Sequence, residues 1–154
     1  MRLTRYTDYS LRVLMHLGLN RDRLCSISEI ARGNRISENH LTKVVHHLGK
    51  LDYVTTLRGR GGGLKLARPP EQIFVGEIVR KTEDGFDLLD CPSCVLAPAC
   101  TLTGALSEAV AAFLQVLDRY TVADLIRNGD ALRALLQTPG REISLGAESR
   151  TTLD

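Results

Sequence analysis

The apolar positions Tyr6, Val13, Leu14 and Leu17 recur at helical spacing, which predicts a first helix of about four turns. Ser26 and Glu29 have the spacing of a capping box ahead of "ISEIARGN", and Gly33 offers a stop, so a short second helix is expected. In "ISENHLTKVVHHLGKLDY", Ser37 is placed to cap a third helix. Leu41, Val44, Val45, Leu48 and Leu51 form one apolar stripe along it. Its opposite face carries Asn39, Thr42, Lys43, His46 and Lys50, with no acid after Glu38.

The period then changes. Tyr53 to Leu57 is β-branched and aromatic, Arg58 to Gly63 is a glycine-rich turn, and Leu64 to Ala67 returns as a second strand, ended by Pro69 and Pro70. The order helix, helix, helix, hairpin is that of a winged helix-turn-helix over residues 1–80. In that arrangement the third helix enters the major groove of DNA and the hairpin tip reaches a neighbouring minor groove. Ser37, Asn39, His40, Thr42, Lys43 and His46, with Arg58 and Arg60 at the tip, are the candidate DNA contacts. Two nucleotide-loop readings of the glycine run fail. A G-x-G-x-x-G pattern from Gly59 needs glycine where Leu64 stands, and no Gly-Lys-Ser/Thr opens a helix.

A short helix over Val75–Lys81 is expected to lead into a loop, residues 81–101. Leu102, Leu106, Ala109, Phe113, Val116 and Tyr120 then mark a long amphipathic helix. Its small face (Ala105, Ala109, Ala112) suits close approach of a partner helix, so residues 102–137 are expected to make a homodimer. Thr121 and Asp124 form a second capping box, opening a helix that Gly129 is expected to end; "ALRALL" adds one more turn. Residues 138–154 are polar and aperiodic, and read as a disordered tail. The fold class is thus mostly α with a small β hairpin: a winged helix-turn-helix plus a long dimerisation helix.

Charge sharpens the division. Of the 154 residues, 1–80 carry 14 Lys and Arg against 7 Asp and Glu, a net of +7, whereas 81–154 carry 6 against 11, a net of −5. All four histidines fall in the basic half. A basic first half suits double-stranded DNA, and a dimer suits a palindromic operator. No run of eighteen apolar residues spans a membrane and the first residues do not read as a signal peptide, so a cytoplasmic protein is expected. No nucleophile–base pair, phosphate loop or paired carboxylates point to an enzyme.

In "CPSCVLAPAC", Cys91, Cys94 and Cys100 lie within ten residues, stiffened by Pro92 and Pro98. Reduced thiols so grouped favour metal or redox chemistry over structural bridging. Three readings stand: a zinc site, which lacks a nearby fourth Cys or His; an iron–sulfur cluster with one non-cysteine ligand; or a redox switch closing Cys91–Cys94. Cys25, ahead of the second helix, reads as a buried structural thiol.

The segments "MRLTRYTDYSLRVLMHL", "ISENHLTKVVHHLGKLDYVTTLRGRGGGLKLARP", "CPSCVLAPAC" and "ALSEAVAAFLQVLDRYTVADL" together resemble the IscR/NsrR family of iron–sulfur winged-helix regulators, over residues 1–137. The NsrR-like, nitric-oxide-sensing members are the nearer match. IscR-like members place a histidine ligand three residues after the last cysteine, where this chain has Thr103. NsrR-like members have an aspartate early in the first helix, here Asp8, contributed from the other subunit. The interval Cys94–Cys100 matches the family; the interval Cys91–Cys94 is shorter than the family's. The resemblance implies a 4Fe-4S cluster, with 2Fe-2S as the alternative, on Cys91, Cys94, Cys100 and the other subunit's Asp8. It further implies nitric oxide as the signal and a repressor that loses DNA when the cluster is nitrosylated. The alternative is an IscR-like response to cluster supply, iron or redox state.

Overall fold

The computed structural model describes residues 2–137, so the expected tail lies outside the described residues. Helix α1 (Arg5–Leu19) is capped by Thr4, whose side chain accepts from the Thr7 N–H. Helix α2 (Ile27–Asn34) is capped by Ser26, which accepts from the Glu29 N–H at 3.1 Å. Only this half of the expected capping box pairs as the pattern implies. The Glu29 carboxylate turns instead to the Arg23 guanidinium, a charged partner that outcompetes a backbone amide. Gly33 is not the stop: it stays helical, and Arg35 makes the left-handed turn at φ 55°. Helix α3 (Glu38–Lys50) is capped by Ser37 as expected.

One apolar core joins these helices. Val13, Leu14 and Leu17 of α1 meet Ile30 of α2 and Leu41, Val44 and Leu48 of α3, all essentially inaccessible to water. Each such side chain contributes on the order of 1.5–3 kcal/mol by leaving water. The apolar stripe read along α3 is therefore the face that fixes it, and its polar face is left outward.

The wing is a two-stranded antiparallel hairpin, β1 (Val54–Leu57) and β2 (Gly63–Leu66), with Val54 opposite Leu66 and Leu57 opposite Gly63. Its tip requires glycine: Gly59 and Gly61 take φ of 98° and 78°, and a Cβ on Gly62 would lie 2.2 Å from the Leu57 carbonyl oxygen. Cys25 extends the sheet by one bridge, exchanging two backbone bonds of 3.0 and 2.8 Å with Leu64. The base of the wing is thereby tied to the segment that enters α2.

Helix α4 (Val75–Thr82) packs on α1, and α5 (Leu102–Leu117) contacts α4. A paired bridge from Arg80 to Asp118, with Nη2–Oδ2 at 2.7 Å, holds the end of α5 to α4. No residue of α5 is buried, and Ala105, Ala109 and Ala112 are all exposed. The chain then re-enters the core: the Thr121–Asp124 capping box forms in full, opening α6 (Val122–Leu125), and Val122 is buried. Gly129 does not end this helix. It begins α7 (Gly129–Gln137), which lies on α2 and is longer than the single turn expected. The architecture is mostly helical with one hairpin, a winged helix-turn-helix carrying a long, uncovered helix. Among the described residues, no helix is long and apolar enough to cross a membrane.

Candidate metal centre and nucleic-acid interface

The cysteine loop winds in steps of three. The Cys94 N–H donates to the Cys91 carbonyl (3.1 Å), the Ala97 N–H to the Cys94 carbonyl (3.1 Å) and the Cys100 N–H to the Ala97 carbonyl (3.4 Å). Cys91, Cys94, Ala97 and Cys100 are thus the ends of three linked turns, of which Ala97–Ala99 is a 3-10 turn, and Cys100 is extended (φ −84°, ψ 122°) where the chain passes to α5. Pro92 and Pro98 stand where this winding asks for no N–H donor.

The result is one cavity of about 260 Å³ lined by Cys91, Cys94 and Cys100 with Leu89, Leu96, Ala97 and Leu102. The three thiols are unpaired as disulfides. Thr103 also lines the cavity, its hydroxyl 3.5 Å from the Cys91 sulfur. Ser93 donates to the Asp90 carboxylate at 2.6 Å and so fixes the first turn. Three soft donors on an apolar wall fit a thiophilic metal or an iron–sulfur cluster, and leave one ligand to come from elsewhere.

Asp8 does not line this cavity within its own chain. It is half-buried in the first turn of α1, and its Oδ1 accepts from Arg12 Nε at 2.9 Å. Two features connect it to the rest of the machinery. First, Glu83, at the root of the cysteine loop, accepts from the Thr4 N–H (2.8 Å), the Thr4 hydroxyl (2.9 Å) and the Thr7 hydroxyl. Burial alone would raise the Glu83 carboxyl, but these bonds outweigh it and hold its pKa below the ordinary value. Second, the Tyr6 and Tyr9 rings of α1 lie 5.6 and 6.3 Å from the rings of His47 and His40 on α3. The start of α1 is therefore bolted to the loop root on one side and rests on α3 on the other. The spacing of Glu83 from Thr4 and Thr7 in sequence hides this network, which only the fold brings together.

The polar face of α3 is open. Asn39, His40, Thr42, Lys43 and His46 are exposed. Ser37 is exposed too, but its oxygen is engaged by the His40 N–H, and the Thr42 hydroxyl donates to the Glu38 carbonyl at 2.8 Å. Arg58 and Arg60 stand exposed at the wing tip. Beneath the wing, buried Tyr53 is flanked by Arg68, 4.5 Å from its ring centroid, and accepts a hydrogen bond from Lys81 at 3.0 Å. The structure thus sets two basic projections, α3 and the hairpin tip, on one helical scaffold.

Comparison with known proteins agrees with this architecture. The family model Rrf2, described as iron-dependent transcriptional regulator, matches residues 3–128. A protein of Shouchella clausii (strain KSM-K16) named HTH-type transcriptional regulator NsrR is 54% identical over 143 residues, covering 89% of this chain and 96% of that protein. The like-named protein of Bacillus subtilis (strain 168) is 50% identical over 143 residues, with 89% and 98% covered. Among solved structures, T. potens IscR superposes with a TM-score of 0.68 at 28% identity, over 92% of this chain and 94% of that one.

Proposed function

The chain belongs to the Rrf2 family of transcriptional regulators, and from that premise we propose that it is a homodimeric, DNA-binding repressor whose cysteine loop holds an iron–sulfur cluster and responds to nitric oxide. The observation that carries the reading is the convergence of Cys91, Cys94 and Cys100 on one cavity, joined through Glu83 to the helix that bears Asp8. Thr103 in place of a histidine and the NsrR names of the relatives support the nitric-oxide reading over a cluster-supply response.

Cys91, Cys94 and Cys100 would hold the cluster as thiolates, 4Fe-4S rather than 2Fe-2S, with Asp8 of the second subunit as the fourth ligand, and the cluster would supply iron to which nitric oxide can bind. The chain's own residues transmit the event. With Asp8 of one copy held at the loop of the other, α1 is fixed, and α3 with it through the Tyr6–His47 and Tyr9–His40 contacts. The uncovered apolar residues of α5, Leu102 and Val116 among them, supply the face on which two copies join. The two reading helices then match successive half-sites of a palindromic operator. Without Asp8 held at the partner's loop, α1 would be free and the constraint on their spacing lost, so affinity for the operator would fall.

Anaerobic purification tests the cofactor. A brown protein with about four iron and four sulfide per subunit is expected; zinc in place of iron, or a metal-free dithiol, would refute the reading.

A further inference from the structure

We propose that His16, Cys25 and Glu29 form a second metal site, separate from the cysteine loop, that takes one divalent transition ion of the zinc type. His16 lies on α1, Cys25 in the segment bridged to the wing, and Glu29 in the first turn of α2. Their ligand atoms all lie within 4.8 Å of one another. His16 is 5% exposed, and its Nε2 is buried without a hydrogen-bond partner among the described residues, Glu29 Oε1 standing 3.5 Å away. A buried polar nitrogen left unmet is costly, so a native fold that keeps one has another use for it. Cys25 is fully buried beside it.

His16 and Glu29 also line a cavity of about 410 Å³ with Asn20, Gly33 and Arg133, which leaves an open side for water as a fourth ligand. One imidazole, one thiolate and one carboxylate make a mixed nitrogen, sulfur and oxygen set, suited to zinc-type ions at tetrahedral sites. Arg23 grips both Glu29 oxygens, but a carboxylate oxygen has lone pairs enough for an ion and an arginine together.

The other ring nitrogen, Nδ1, lies 3.4 Å from the Asn34 side-chain amide. The same amide nitrogen donates to the Ile30 carbonyl at 3.0 Å, so Asn34 fixes the ring's orientation from α2 while Nε2 faces Glu29 and Cys25. An ion here would clip α1, α2 and the base of the wing at one point, since the Cys25 backbone bridges Leu64. Occupancy would therefore stiffen the reading head itself, independently of the cluster.

The test uses the full chain with Cys91, Cys94 and Cys100 each replaced by Ser, so that Cys25 is the one thiol left. It is made metal-free under reducing, anaerobic conditions and titrated with Co²⁺. A cobalt–thiolate charge-transfer band saturating at one ion per chain, displaced by Zn²⁺, is expected, with a rise in melting temperature. His16→Gln should weaken binding by roughly tenfold or more. Cys25→Ala should abolish the band; should that core substitution unfold the chain, the His16→Gln titration decides alone. Absence of the band in the folded triple-serine chain, or affinity indifferent to His16→Gln, would overturn the site.

Discussion

Replacing Asp8 by alanine separates two roles that one carboxylate can play. Within its own chain, Asp8 makes an i,i+4 pair with Arg12 in which both side chains are nearly half exposed, 46% and 47%. Such a pair contributes about 0.3–0.5 kcal/mol. An acid in the first turn adds about 0.3–1 kcal/mol through the helix dipole. Alanine's higher helix propensity offsets roughly 0.5 kcal/mol of this loss. The net cost to the fold is then under about 1 kcal/mol, a shift in melting temperature of only about 2–4 °C or less. Apo-protein melts should thus barely differ between wild type and Asp8→Ala. The ligand role predicts a large effect elsewhere: a cluster still assembled on three thiolates, but with an altered visible spectrum, lower stability, and DNA binding that falls or ceases to respond to nitric oxide. Asp8→Cys should restore four ligands and slow the reaction with nitric oxide. Parallel melts, absorption spectra and stopped-flow nitric oxide kinetics decide it. If Asp8→Ala leaves the holo spectrum, the kinetics and the DNA affinity unchanged, Asp8 is a helix-start acid and the fourth ligand is another group.

The remaining predictions concern the loop, the wing and the loop root. Cys94→Ala and Cys100→Ala should each yield a folded but colourless protein with poor specific DNA binding, checked by absorption and gel shift; a coloured Cys94→Ala protein contradicts its role. Arg60→Ala should weaken operator binding while leaving the visible spectrum intact, since arginine favours a narrow, A·T-rich minor groove; fluorescence anisotropy at physiological salt measures it, and an unchanged affinity removes the wing tip from recognition. Glu83 has a depressed folded pKa, so its stabilisation is present above its unfolded value of about 4.3 and is lost as pH falls through the folded value. Glu83→Gln should therefore destabilise the protein at pH 7 in urea melts, and the gap from wild type should narrow on acidification below about pH 4.

Local signals were the legible ones. The stripe on α3, the Ser37 cap and the Thr121–Asp124 box involve residues within a few positions of each other, and all appear as the sequence pattern implies. The hairpin tip was legible because only glycine fits it. Expectations failed where a distant partner intervened. Glu29 leaves its capping box for Arg23, Gly33 stays helical while Arg35 makes the turn, and Gly129 opens a helix that packs back on α2. In the cysteine loop the residues were legible but the geometry was not. That the three cysteines line one cavity becomes visible only once the linked turns of the loop are seen. The network of Glu83 with Thr4 and Thr7 gave no sequence signal at all, because its members lie more than seventy residues apart.

The central claim is that one cofactor at the cysteine loop governs the reading head. Its most direct test is an anaerobic titration of the reconstituted protein with nitric oxide, following the visible spectrum and DNA binding in the same sample. The DNA is a duplex selected by the holo-protein from a random palindromic pool. DNA release in step with bleaching of the cluster absorbance, and no such response in Cys94→Ala, is the predicted result. Binding that persists after the absorbance is gone, or release that precedes any spectral change, would contradict it.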